Sequence, residues 1–123
     1  MEDFNLVIKE LISKDIAEVS LPDNLKEDFE KTAEKYIQDG NLLEAIKVFA
    51  LTKNDQKLIH TSNLCLKENK PYEALQGFLY SQDIEHINKI GFIMLQIPDV
   101  RSALIAFKKS NNQEMIEFIT KNF

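Results

Sequence analysis

A chain of 123 residues, 44% hydrophobic and 28% charged, is long enough for one domain or one short repeat array. With three glycines and three prolines it is poor in tight turns and leans helical. Its formal charge of −5 argues against a nucleic-acid role, because Lys and Arg neutralising phosphates supply most non-specific affinity.

The N-terminal MEDFNLVIKELISKD has no basic leader and no cleavage-like small residues, and charges interrupt its apolar stretch. It reads as neither signal peptide nor membrane span, and the chain is expected to be soluble and cytoplasmic, without membrane insertion. The pattern predicts a helix over about residues 3–13, a short helical turn near 15–20, and a break at Ser20-Leu21-Pro22. Cys65 is the only cysteine, so no internal disulfide can form and nothing points to an oxidising compartment.

From residue 25 the sequence repeats itself at an interval of 29. One apolar set runs Leu42, Ala45, Ile46, Phe49; it returns as Pro71, Ala74, Leu75, Phe78 and as Val100, Ala103, Leu104, Phe107. The spacing i, i+3, i+4, i+7 is one stripe of an α-helix with a small residue held at a constant position. A second set precedes each: Phe29, Ala33, Tyr36, Ile37; Leu58, Ser62, Cys65, Leu66; Ile87, Gly91, Met94, Leu95; and finally Ile116, Thr120, Phe123. Small residues at 33, 62, 91 and 120 are expected to let helix axes approach closely.

Turn chemistry falls between the sets. Asn41, with Glu44 three places on, and Asp99 are expected N-caps; Pro71 suits a first helical turn; Asn54, Asp83 and Asn112 are placed to start helices. The organisation expected is a capping helix and turn over 1–24, helix pairs over 25–53, 54–82 and 83–111, and a closing helix over 112–123. Arrays whose units cannot bury their own apolar faces need terminal covers.

Ala33, Tyr36, Gly40, Asn41, Ala45 and Phe49, in that order and spacing, resemble a tetratricopeptide repeat. Ser62, Tyr72, Ala74, Phe78 and Ser81 continue the likeness in the second unit, and Gly91, Asp99, Ala103, Phe107 and Ser110 in the third. The period of 29 is shorter than the family's roughly 34, and the proline that usually closes a unit is missing. The resemblance implies an all-α fold, a short right-handed α-solenoid of antiparallel helix pairs with about seven to eight helices. It also implies protein–protein interaction: a partner's peptide or helix held in a groove lined by the first helices. The equivalent positions here are Glu30 and Glu34, Ile59 and Asn63, and Asn88 and Phe92. Two of the six are acidic and none is basic, unlike family members that clamp a terminal carboxylate, so a mixed partner with apolar and basic groups is expected in that groove.

No motif of chemistry competes with this reading. Cys65 and His60 lie five apart, pointing about 140° away from each other on a helix. His60 and His86 lack metal-ligand spacing, the three glycines are isolated, and the aromatics are core by register. No catalysis, cofactor or metal is expected. Residues 1–52 carry −6, residues 53–86 −1 and residues 87–123 +2. That asymmetry, with Met115 and Phe118 flanking the last stripe, supports one alternative, a structural or coat-like assembly component that self-associates weakly through Met115 and Phe118.

Overall fold

The computed structural model describes residues 2–16 and 19–123, with side chains from Leu6 onward in the first helix. Among the described residues the chain is all-helical, with eight α-helices and no strand. They are α1 (Glu2–Ile12), α2 (Asp23–Gln38), α3 (Leu42–Thr52), α4 (Asp55–Lys67), α5 (Pro71–Tyr80), α6 (Ile84–Gln96), α7 (Val100–Lys109) and α8 (Gln113–Asn122). Of the short turn expected near 15–20, Ile16 is in a 3-10 turn and Val19 and Ser20 are not helical; Ala17 and Glu18 lie outside the described residues.

The densest packing is within pairs, α2 on α3, α4 on α5 and α6 on α7. Alternate helices also meet: α3 packs broadly against α5, and α5 touches α7 more narrowly. Helix α1 lies on α3, and α8 on α7.

The repeat register is a register of depth. Phe49, Phe78 and Phe107 are fully buried, and Ala45, Ala74 and Ala103 beside them have no accessible surface. Burying one such phenylalanine contributes about 1.5–3 kcal/mol. Ala33, Ser62 and Gly91 are buried at the equivalent depth in α2, α4 and α6. At Gly91 the reason for smallness is direct: a Cβ there would lie 2.8 Å from the Phe107 ring.

The last helix departs from expectation. Thr120 and Phe123 are exposed, and Ile119 is the buried residue of α8, with Met115 and Ile116 half-buried against the core. Ile119 belongs to a column with Thr61 and Ile90, both buried in α4 and α6. Among the described residues the broad contact of α8 is with α7, so the 119 column faces inward and the 120 column, which in α6 meets the following helix, is left exposed.

Helix starts follow side-chain oxygens. Asn54, Asp83, Asp99 and Asn112 accept from the backbone N–H of Lys57, His86, Ser102 and Met115. Asn41 makes no such bond: its ψ is 68°, whereas the four that cap lie between 85° and 102°. It sits short of the extended region from which an N-cap reaches back. Gly40 and Asn69, one repeat apart, end α2 and α4 with positive φ, 80° and 58°. The third equivalent is Pro98, whose ring excludes positive φ, and there the Ile97–Pro98 peptide is cis.

The corner from one pair to the next is pinned twice in the same way. Glu30 Oε2 accepts from Thr52 Oγ1 and from Asn54 Nδ2, both at 2.8 Å. Two repeats on, Asn88 Oδ1 accepts from Ser110 Oγ at 2.6 Å and Asn112 Nδ2 at 3.2 Å. Between the two donors sits Lys53 or Asn111, each at positive φ. The middle corner cannot be built so, because Ile59 has no acceptor where Glu30 and Asn88 stand and Asp83 has no donor where the asparagines stand. There Ser81 is extended, its hydroxyl donates to Phe78 O at 2.7 Å, and Gln82 N–H donates to Asp55 Oδ2 at 3.3 Å. Glu30→Ala is expected to cost about 1 kcal/mol, since the pin is partly solvated. Glu30→Gln, which keeps an acceptor oxygen, should recover most of that in urea titrations followed by circular dichroism.

Candidate partner-binding surfaces

Of the six first-helix positions, the structure brings together Asn88 and Phe92. Both line a hollow of about 580 Å³ along α6. Phe92 is 46% exposed, and its ring meets Phe107 edge-on at 5.1 Å between centroids. The Asn88 oxygen is already occupied by its two donors in the α7–α8 corner. Glu30 is likewise turned to the α3–α4 corner, and Glu34 is paired with Lys57 at 2.8 Å. Ile59 is half-buried against the core and Asn63 is half-buried on α4. On α8, Met115 packs inward, whereas Phe118 is exposed and approaches Phe123 with centroids 6.4 Å apart.

A second surface runs across the other row of helices. Leu79 and Tyr80 of α5, with Gln76, face Ile105, Lys108 and Lys109 of α7 across a trough of about 640 Å³. Leu79, Tyr80 and Lys109 also line a neighbouring hollow of about 390 Å³, closed on its far side by Ile16, Ala50, Lys53 and Asp55. The two together cross α3, α5 and α7. Tyr80 is 36% and Ile105 48% exposed, so the floor is apolar and open to solvent. The Tyr80 phenol is raised above its ordinary value, first by burial and then by the Asp15 carboxylate.

Sequence reading passed over this surface because it tracked the buried stripe. Most trough residues fall in the next two columns after the phenylalanines, Ala50, Leu79 and Lys108 in one and Tyr80 and Lys109 in the other, whose third member Leu51 is buried; Gln76 and Ile105, also 29 apart, come from a further column. Their spacing of 29 was present, but no helical periodicity says which flank of a buried stripe stays uncovered.

The groups that carry chemistry elsewhere are held quiet. Cys65 is buried and its thiol is pushed up to about 11, chiefly by burial and then by Glu73. His60, on the same helix, is exposed. His86 Nδ1 lies 2.9 Å from Asp83 Oδ1, and its ring stacks on Phe78. The Asp83 carboxyl is lowered, first by the His86 backbone N–H and then by the His86 ring. Asp99 is lowered too, first by the Ser102 backbone N–H, then by the Ser102 and Tyr72 hydroxyls that donate to it. Among the described residues no group of three or more His, Cys, Asp or Glu side chains is arranged to hold a metal ion. No helix among them is long and apolar enough to cross a membrane.

Compared with known proteins, the chain matches no family model, no curated protein and no solved structure.

Proposed function

We propose that this chain is a protein-interaction module, an adaptor or scaffold that holds a segment of a partner without chemistry of its own. The helix pairs are stacked as a short right-handed solenoid of tetratricopeptide-like hairpins. The equal depths of Ala45, Ala74 and Ala103 and the repeated corner pins at Glu30 and Asn88 support that organisation. The observation that carries the function is the open trough between α5 and α7, where Tyr80 and Ile105 stay exposed beside a fully packed core. A concave, mostly apolar lining of this kind can seat a partner's own apolar side chains.

The family resemblance puts the groove on first helices, but the packing favours the other row. The second helices α3 and α5 meet broadly across the pair boundary, and a row whose members meet directly is the one expected on the inside of a curved stack. Phe92, exposed at the edge of the α6 hollow, favours a second reading in which the first helices contribute the contact.

Three baits separate the two faces: the native chain, Ile105→Asp and Phe92→Asp, each checked for unchanged helicity and used to capture proteins from cell extract. A partner held by the native chain is expected to be lost with Ile105→Asp and kept with Phe92→Asp. Loss only with Phe92→Asp moves the contact to the first helices, and capture of nothing specific by the native chain rejects the interaction reading.

A further inference from the structure

The trough has a charge as well as a shape. Lys53 at the end of α3 and Lys108 and Lys109 at the end of α7 stand on opposite sides of Leu79, Tyr80 and Ile105. Like most of the chain's basic side chains, these three lysines have no carboxylate within ion-pair distance among the described residues; Lys26, Lys31, Lys57 and Lys70 do. What sets the three apart is that they gather around one apolar floor. Among the described residues Asp55 is in the wall, where its Oδ2 accepts from the Gln82 backbone, and the Asp15 carboxylate is close enough to act on the Tyr80 phenol. In a chain of net charge −5, three lysines against two carboxylates give this surface, among the described residues, a local excess of positive charge. Like charges gathered without partners repel one another, and an acidic ligand would offset that repulsion on binding.

We infer that the trough across α3, α5 and α7 binds a partner segment that is acidic as well as apolar: aliphatic or aromatic side chains on Leu79, Tyr80 and Ile105, flanked by Asp or Glu facing Lys53 on one side and Lys108 and Lys109 on the other. The inference rests on the protein-interaction reading and names its ligand class. Three helices at the usual spacing of about 8–10 Å span roughly 16–20 Å between outer axes. At about 3.3 Å per residue an extended segment of five or six residues crosses that distance. Nucleic acid is the poorer fit, since the floor offers one aromatic ring, not a series of stacking platforms, and the overall charge repels phosphate. An anionic membrane surface is a poorer fit too, because the apolar residues lie in a trough between helices instead of on a protruding face.

The test is selection from a random 12-residue peptide display library on the immobilised chain. Anisotropy titrations of the enriched peptides, fluorescein-labelled, follow at 50 and 500 mM NaCl. The expected sequences carry Asp or Glu on both sides of Leu, Ile, Phe or Tyr, and binding should weaken several-fold at the higher salt. Lys108→Glu/Lys109→Glu, on exposed positions and with helicity verified, is expected to weaken binding at least tenfold. Ile105→Ser should weaken it without changing the salt dependence. Enrichment of basic or uncharged peptides, blocked by Ile105→Asp, overturns the acidic ligand and leaves the interaction reading standing. No enrichment at all overturns both. Co-sedimentation with phosphatidylserine vesicles in place of peptide binding assigns the lysines to a lipid surface. A mass that rises with concentration and is lost in Lys108→Glu/Lys109→Glu assigns them to the acidic N-terminal half of a second copy. Either result overturns the proposal.

Discussion

Phe107→Ala is expected to destabilise the chain by about 3–5 kcal/mol, the range for removing a fully buried phenylalanine. The ring has no accessible surface, supports Phe92 edge-on, and fills the space that Gly91 leaves open. Its coupling to Gly91 makes the test sharper than a single loss of stability. Alanine is favoured over glycine within a helix by about 1 kcal/mol, so on propensity alone Gly91→Ala should stabilise α6. The added Cβ, however, would stand 2.8 Å from two carbons of the Phe107 ring. A ring packed on all sides cannot give way cheaply, and the substitution is expected to cost about 1–3 kcal/mol instead. With Phe107 already replaced by alanine the obstruction is gone, and Gly91→Ala should then gain up to about 1 kcal/mol. The reversal of sign between the two backgrounds is the quantity to measure, by urea denaturation of the four proteins in a double-mutant cycle. An effect of Gly91→Ala that is the same in both backgrounds would mean the ring is not what keeps residue 91 small.

Ala74→Leu and Ala103→Leu are each expected to cost about 1–3 kcal/mol by overpacking. Both alanines are fully enclosed. They sit where α5 meets α4 and where α7 meets α6, the two most closely packed pairs in the chain. A leucine adds three carbons inside a fully enclosed helix contact, so the axes must separate or the side chain must leave its rotamer well. The midpoint of urea unfolding should fall with little change in slope, because the surface exposed on unfolding is almost unaltered. If both leucines are tolerated at native stability, the repeat columns do not lie at the depth assigned to them.

The two predictions share a cause. A hairpin of helices ten to thirteen residues long, such as α4 with α5 or α6 with α7, buries only one stripe per helix and is marginal by itself. Its neighbours complete the enclosure, and the small residues set how near they come. This dependence is also what makes one overpacked column costly.

Much of the architecture was legible in the residues themselves. Recurrence of Ala45 and Phe49 as Ala74 and Phe78, then as Ala103 and Phe107, places seven helices after residue 22, and their stripes at i, i+3, i+4, i+7 identify the buried faces. Local chemistry carried most of the boundaries too: Asn54, Asp83, Asp99 and Asn112 cap because a short side-chain oxygen reaches its own helix start whatever lies beyond. Where the reading stopped, a partner distant in the chain decides the outcome. Glu30 and Asn88 look like surface polar residues until the corners 22 and 24 residues later fold onto them. Ile119, and not Thr120, is buried in α8 because, among the described residues, the broad packing of that helix is against α7 on one side. The trough beside Lys108 and Lys109 exists because α5 and α7 leave Tyr80 and Ile105 uncovered between them. Periodicity states which residues share a helix face; which flank of that face meets another helix and which meets water is settled only when the helices are placed side by side.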